Sequence, residues 1–242
     1  MLKKQYILIF IFIAYLFPAA QSIAIVSKTK GNVKYKNKKD KKIDKRLKSG
    51  LDLYNNDYII TGKDGFAKYV YLDDGTQIKV HNNSEVYIRG EIDRRSIIKQ
   101  LKVDEGTVKL EIKKQAVDEF TVITPTSVAS VKGTSFWLDC GGNNGDKFYG
   151  ESGTVVIQNR ESGEKRQLIK NTVASSLPNG TLNLRKITQN ELKMLGSIED
   201  EAGEANNSNG DNQGTAGSGD KEIRIELEDE SGNQKTIIIN IK

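Results

Sequence analysis

The side chains that most often carry catalytic chemistry are few and scattered in this chain. His81 is the only histidine and Cys140 is the only cysteine. Nucleophilic catalysis needs a base positioned beside the nucleophile, and a transition-metal site needs several nitrogen or sulfur ligands. The sequence therefore predicts neither kind of site. His81 opens the polar stretch "HNNS", so we expect it to lie at the surface.

Acidic residues occur in pairs, but the pairs fall at predicted turns. Asp73-Asp74 and Asp104-Glu105 each precede a glycine, where acidic side chains commonly bond the backbone. The loop "GGNNGD" (141–146) lacks the alternating acidic ligands of a calcium loop, so a flexible loop is expected there. We predict no enzymatic activity, no cofactor and no metal. We expect Cys140 to be a small buried residue, and a disulfide-linked dimer is the alternative.

The elements that position these residues are predicted to be short strands. Segments with alternating or β-branched residues, bounded by Gly, Asp or Asn, occur at 65–72, 75–80, 84–88, 96–103, 106–112 and 153–159. The turns Asp74-Gly75, Glu105-Gly106 and Ser152-Gly153 suit the positive φ of tight hairpins or bulges. This spacing predicts an all-β domain over residues 23–185, either a sandwich or a short double-stranded solenoid.

The segment "TPTSVASVKGTSFWLDC" (124–140) is the most distinctive part of the chain. Thr124 precedes a proline and is therefore extended, and Gly133 predicts a bulge or a close backbone contact. We expect Phe136 to fill the core on the same face as Val128, unless the bulge reverses the faces. Trp137 would then point the other way, where it either covers a second layer or forms an exposed anchor for a partner.

The C-terminal part is predicted to contain three further elements. Thr188 and Glu191 form a capping box for a short helix over 186–196, which Gly196 would end. Residues 197–220 are acidic and poor in large apolar side chains, so we expect a disordered linker. Residues 221–242 predict a β-hairpin, which either docks on the domain or offers an edge to another chain.

The N-terminal residues 1–22 are typical of a signal peptide. Lys3 and Lys4 precede an apolar run, and cleavage is predicted after Ser22. The alternative is an uncleaved inner-membrane anchor. The protein is thus expected in the bacterial periplasm or at the cell surface. Residues 28–48 contain eleven Lys or Arg, and residues 197–230 contain eleven Asp or Glu. Because export separates the protein from nucleic acid, we expect the basic segment to form a solvated hairpin. The alternatives are attraction to anionic lipid or glycan, or to the acidic tail of the same chain.

The order of five motifs resembles the FecR domain family. "KGNVKY", the section from "YNNDYIITG" to "NNSEVYI", "VDEGTVKLEI", "TPTSVASVKGTSF" and "ESGTVVI" follow one another across roughly residues 25–160. The signature residues are Thr124, Pro125, Gly133, Thr134 and Phe136. Lys132 stands where the family more often has arginine. The lysine has the point charge of an ammonium group in place of the planar guanidinium group of arginine. Only residues 1–5 precede the apolar run, so the cytoplasmic anti-sigma region is not expected here.

The resemblance implies a non-catalytic, extracytoplasmic β-module that binds partners. We predict an envelope protein that mediates protein–protein interaction or signalling. The alternative is a structural envelope component that is held on glycan or lipid by residues 28–48. Trp137, Lys132, Tyr69 and Tyr71 are the candidate partner-binding residues, and the sequence leaves the oligomeric state open.

Overall fold

The structure is a computed structural model that describes residues 21–203, except 39, 41, 44, 95, 116 and 117, and residues 221–241, except 229–231. The predicted signal peptide thus lies almost wholly outside the described residues, as does most of the predicted linker. The described part is all-β with one α-helix, as the sequence predicts. Among the described residues no helix combines the length and the apolar character needed to span a membrane.

Strands alternate with turns along the described chain. They are β1 (Ala24–Lys30), β2 (Val33–Lys36), β3 (Lys45–Arg46), β4 (Asp52–Leu53), β5 (Asp57–Thr61), β6 (Phe66–Tyr71), β7 (Gln77–Val80), β8 (Glu85–Asp93), β9 (Ser96–Ile112), β10 (Phe120–Ile123), β11 (Ser127–Val131), β12 (Thr134–Cys140), β13 (Asp146–Ser152), β14 (Thr154–Asn159), β15 (Lys165–Ile169), β16 (Thr172–Ser176), β17 (Leu182–Lys186), β18 (Lys221–Glu228) and β19 (Gln234–Ile241). The helix α1 spans Gln189–Ala202.

The strands pair in two layers that share one strand. The first layer, sheet A, has the order β19-β18-β1-β6-β7-β9-β12-β13-β16-β17, and β4 also pairs with the start of β1. The second, sheet B, has the order β3-β2-β5-β8-β9-β10-β11-β14-β15. All pairs are antiparallel except β1–β18 and β9–β10. The inner faces of the two sheets enclose one large apolar core.

Strand β9 joins the two sheets. The sequence predicts two strands separated by a turn at Glu105-Gly106, but the structure has one strand of 17 residues. Its first part pairs with β8 and β10 in sheet B, and its last part pairs with β7 and β12 in sheet A. Gly106 has a φ of +102°, and a Cβ there would lie 2.4 Å from Ser84 Cα. The glycine allows the strand to change sheets instead of turning back.

The segment around Gly133 also changes sheets. Strand β11 lies in sheet B and β12 lies in sheet A, so Gly133 is a crossover between two strands and not a bulge within one. Gly133 has a φ of +153°, and a Cβ would lie 3.0 Å from Lys114 Cα. The crossover reverses the faces: Ala129 and Val131 point into the core from β11, and Phe136 points into it from β12. The shared face with Val128 is therefore wrong, and the reversal of faces that the sequence left open is present.

Helix α1 is longer than the sequence predicts. The capping box of Thr188 and Glu191 is present as predicted, but the helix continues through Gly196 and ends at Gly203, which has a left-handed conformation. The cost of an interior glycine is only about 1 kcal/mol, and packing overrides it. The helix packs on the outer face of sheet A through Leu195, against Trp137, Tyr149 and Val173.

The predicted C-terminal hairpin is formed by β18 and β19. Strand β18 runs parallel to β1, with Glu228 opposite Lys28. Ile225 is buried against Ile25 and Val70 on the outer face of sheet A. Within the described chain the hairpin is therefore docked on its own domain.

Candidate partner-binding surface

Two of the predicted partner-binding residues lie inside the protein. Tyr69 and Tyr71 are fully buried in the main core, because the inner face of β6 carries them while Lys68 and Val70 point outward. Their rings contact each other edge-on, with centroids 5.8 Å apart. In this structure neither side chain can contact a partner, so the prediction for these tyrosines is corrected.

Trp137 and Lys132 lie in different surroundings. Trp137 is only 1% exposed because α1 covers it, and its Nε1 donates to Glu151 Oε1 at 2.8 Å. It therefore covers a second layer, which is the first of the two alternatives for this residue. The Lys132 side chain is 75% exposed and forms an ion pair with Glu119 at 3.4 Å. The four candidate residues do not form one surface.

The signature residues serve packing and a buried polar cluster. Phe136 is fully buried in the main core, and Thr134 is also buried. Asp146 is buried as well, and its Oδ2 accepts hydrogen bonds from Thr124 Oγ1 at 2.5 Å, Ser127 Oγ at 2.6 Å and Thr126 Oγ1. Thr124 and Pro125 thus begin a turn whose hydroxyl side chains surround one carboxylate. This carboxylate comes from the "GGNNGD" segment, which forms a 3₁₀ turn at Gly142–Asn144.

The residues that could take part in catalysis are engaged in packing or ion pairs. His81 is 2% exposed and lies between Phe66 and Trp137, with ring centroids 5.2 and 4.9 Å away. The surface position predicted for it was wrong, because the outer face of sheet A is itself covered. Cys140 is buried, and burial raises the pKa of its thiol. A disulfide to a second chain would require this residue to become exposed.

The acidic pair at 73–74 binds a buried lysine. Lys99 Nζ lies 2.7 Å from Asp73 Oδ2 and 3.0 Å from Asp74 Oδ2. Burial, followed by the neighbouring Asp74 charge, raises the pKa of Asp73. Among the described residues no group of three or more His, Cys, Asp or Glu is placed to hold a metal ion.

One row of side chains crosses the outer face of sheet A and is the most distinctive surface of the fold. Its members are directly opposite one another on adjacent strands, so they form a continuous line. We call it the central row. Its members, in order across the sheet, are Lys28, Lys68, Lys79, Lys109, Trp137, Tyr149, Val173 and Arg185.

The lysine half of the central row places like charges on neighbouring strands. Directly opposed like charges destabilise a sheet, so this arrangement requires acidic partners. Glu111 lies 3.0 Å from Lys79, and Glu151 lies 3.3 Å from Lys109. Lys109 Nζ also lies 5.2 Å from the Trp137 ring centroid, which is a cation–π contact. Lys28 pairs with Glu228 at 2.9 Å.

Helix α1 supplies the remaining acidic partners. Glu199 accepts from Lys79 Nζ at 2.7 Å and from Lys109 Nζ at 2.6 Å. Burial tends to raise the pKa of Glu199, but the hydrogen bonds and charges of Lys109 and Lys79 outweigh it and lower the pKa overall. At the other end of the helix, hydrogen bonds from Arg185 lower the pKa of Glu191 to about 2.

The sequence could not reveal the central row. Alternation alone places Lys68, Lys79 and Lys109 on the outward faces of their strands, but it does not say which strands are neighbours. The strand order follows from long-range pairing, which a single sequence does not encode locally. The row was therefore missed, although each lysine is visible in a predicted strand.

The free edge of the hairpin is a second candidate surface. Within the described chain β19 pairs only with β18, so its other edge is open. The edge contains Thr236 and three consecutive isoleucines, of which Ile238 is 53% exposed. Open edges with β-branched residues can accept a further strand.

Comparison with known proteins identifies the domain. Residues 57–166, from the start of β5 into β15, match the family model described as FecR protein. This part of the chain thus matches a FecR domain. The matched range includes the signature residues 124–136 and β9, whereas β1–β4, α1 and the terminal hairpin lie outside it. No curated protein matches the chain.

Two solved structures resemble part of the fold. Both are described as a "putative anti-sigma factor from Parabacteroides distasonis ATCC 8503". One is 17% identical with a TM-score of 0.47, and the match covers 56% of this chain and 62% of that one. The other is 18% identical with a TM-score of 0.48, and the match covers 57% and 63%. The chain thus spans less than two thirds of the length of these two structures.

Proposed function

We propose that this chain is a non-catalytic module that binds a protein partner in cell-envelope signalling. The FecR domain supports a role related to envelope signalling, and the open edge of β19 supports the mode of binding. An added strand would satisfy the backbone N–H and C=O groups of this edge, and pockets for alternate side chains would provide specificity. Lys235 lies near the start of this edge, but residues 236–239 have no charged side chain, so this stretch lacks the usual protection against strand pairing.

The proposed location is outside the cytoplasm, after cleavage behind Ser22. The start of the fold supports this site. Ile23 is buried, its N–H donates to Leu53 O at 2.9 Å, and β1 begins at the next residue. Cleavage after Ser22 would leave the domain complete, with no unused residue before its first strand.

The test is capture of the partner by the tagged chain with cross-linking in intact cells. Ile238→Lys places a charge at the open edge and should abolish capture of a protein partner, since edge lysines prevent strand pairing. Leu184→Lys is the matched control, because Leu184 is also partly exposed and β17 is the opposite edge of sheet A. Equal loss from both variants, or from neither, would contradict binding at β19.

The alternative function is attachment to glycan or anionic lipid through residues 28–48. Part of this segment is engaged within the protein: Lys30 Nζ donates to Glu201 O at 2.6 Å, and Lys45 pairs with Asp40 at 2.8 Å. Salt separates the two proposals. Attachment by surface charges should fall steeply with ionic strength, whereas a strand-addition complex should persist in high salt.

A further inference from the structure

Helix α1 contacts residues of the central row at four positions along its length. Glu191 pairs with Arg185 at 2.6 Å, and Leu195 packs on the aromatic part of the row. Glu199 binds Lys79 and Lys109, and Gly203 O accepts from Lys28 Nζ at 3.3 Å. These four helix positions are spaced by four residues, so they lie along one face of the helix. The row thus recognises the pattern acid, apolar, acid, followed by a helix C-terminus.

The helix is held by the side that faces sheet A. In α1 only Leu195 and Ala202 are buried, while Leu192 is 42% and Met194 is 41% exposed. Gly196 lies in the middle of the helix, and a Cβ there would have no neighbour within 4 Å. Glycine inside a helix lowers its intrinsic stability. The helix therefore relies on a few ion pairs and a small apolar contact through Leu195, Ile198 and Ala202, whereas the surface beneath it belongs to the sheet.

We propose that the central row is a binding surface for an acidic amphipathic helix of a partner protein, and that α1 occupies it until this partner displaces it. The charge of the row argues for this occupant. When α1 leaves, Lys79 and Lys109 lose Glu199 but keep the partly exposed Glu111 and Glu151. Trp137 loses its cover, so the open row presents two lysines beside an aromatic anchor. A helix with glutamates four residues before and after a leucine restores each of these contacts.

A labelled peptide with the sequence of residues 188–203 is the probe, and the full chain with two α1 substitutions is the receptor. Leu195→Ser with Glu199→Gln releases α1, so the peptide should bind this variant at least about tenfold more tightly than the unaltered chain, in which α1 competes at high effective concentration. The control, Leu192→Ser with Asp200→Asn, alters the exposed side of α1 and should bind like the unaltered chain. Fluorescence anisotropy of the label measures both.

Charge reversal tests the recognition itself. In the released variant, Lys79→Glu with Lys109→Glu should abolish binding, and a peptide that has lysine in place of Glu199 should restore it. Weak binding of the original peptide to the released variant, with no gain over the unaltered chain, overturns the proposal. So does equal binding of both peptides to both receptors, since this would show charge-independent adhesion.

Hydrogen exchange tests the proposal in the unaltered chain, so the result does not depend on whether a variant folds. If α1 is exchangeable, its amides should exchange at least about a hundredfold faster than those of β12, because the helix opens without the sheet. Equal rates in α1 and β12 would show that the helix leaves only when the whole domain unfolds, which overturns the proposal. The β19 edge is not altered in any of these experiments, so this proposal and the proposed function can fail independently.

Discussion

The carboxylate of Asp146 explains why the segment after Thr124 is rich in hydroxyl side chains. Three hydroxyls from residues 124–127 donate to one buried oxygen of this group. Hydrogen bonds to a charged acceptor are worth about 1.5–3 kcal/mol each in net stability. These hydrogen bonds link the turn before β11, where the signature residues Thr124 and Pro125 lie, to the start of β13.

Replacing Asp146 by asparagine should therefore destabilise the fold. The amide keeps the shape but loses the charge that strengthens the three hydrogen bonds, and one of the two oxygens becomes an NH₂ donor. We expect a loss of about 1–3 kcal/mol in the free energy of unfolding, measured by urea denaturation. Asp118→Asn, at an exposed position, is the control and should change stability by less than about 0.5 kcal/mol. Equal stability of the two variants would contradict a role for the hydroxyl cluster.

Phe136 carries the apolar part of the signature. It is fully buried and opposes Leu110 and Gly150 on the neighbouring strands. Phe136→Ala should lower the free energy of unfolding by about 3–5 kcal/mol, since the cavity cannot refill. Lys132→Ala, four residues earlier and largely exposed, should have little effect. A melting temperature for Phe136→Ala equal to that of the parent would refute the core assignment.

The sequence was informative for residues whose environment is set by their own strand. Phe136 in the core follows from local pattern and was predicted. Trp137 could be placed on the outer face, but not under a helix that begins 52 residues later. His81 was misplaced for the same reason: its neighbours in sequence are polar, whereas its neighbours in space are Phe66 and Trp137. Tertiary contacts decide such positions, and one sequence does not contain them.

At the scale of elements, α1 is the part whose docking depends most on charge. Both of its docking carboxylates, Glu191 and Glu199, have a pKa below the ordinary value of 4.5. A lowered pKa in the folded state means that the charged form is stabilised by folding. Their contribution is therefore complete above pH 4.5 and is lost as the pH falls through the lowered values, towards about 2 for Glu191.

Acid should thus undock α1 before it unfolds the sheets. Trp137 is the only tryptophan and lies beneath Leu195, so its emission should shift to longer wavelength as the pH is lowered from 4.5 to 2. The strand signal in circular dichroism should change later. In the variant Glu191→Gln with Glu199→Gln, the emission should already be shifted at pH 7. Simultaneous loss of both signals in the parent would contradict separate docking.

The ends of α1 illustrate what element-level prediction can achieve. The capping box at Thr188 and Glu191 is a local signal and was read correctly. Gly196 is also a local stop signal, but the helix passes through it because Glu199 and Ala202 gain contacts on sheet A. The terminal hairpin was predicted from alternation, and its docking through Ile225 required the structure. For α1, the local capping residues define where the helix begins, whereas tertiary packing decides where it ends.

For the whole molecule, the sequence indicated the class and most strands but not their order. The segments 96–103 and 106–112 were both recognised, yet their union into β9 was missed because a glycine after an acidic residue usually marks a turn. Gly106 instead allows β9 to pass between sheets beside Ser84. The pairing of β9 with both sheets of the sandwich depends on this one position.

A side chain at Gly106 should therefore damage both sheets together. Gly106→Val has no room beside the Ser84 backbone, and a φ of +102° is strained for any residue with a Cβ. We expect a loss of more than about 2 kcal/mol, measured by thermal unfolding. Gly232→Val, also at positive φ but with no neighbour within 4 Å, is the control and should cost less. Similar losses would assign the effect to backbone strain alone.

The sharing of β9 also determines when the chain becomes foldable as it emerges from its N-terminal end onward. Strands β7 and β8 each need residues 96–112 as a neighbour, and they belong to opposite sheets. The first 95 residues therefore emerge with the apolar faces of both half-built layers still uncovered. The next 17 residues then supply a partner to both layers at once. Unpaired edges persist until that moment, so the need for chaperone protection should be greatest just before β9 emerges.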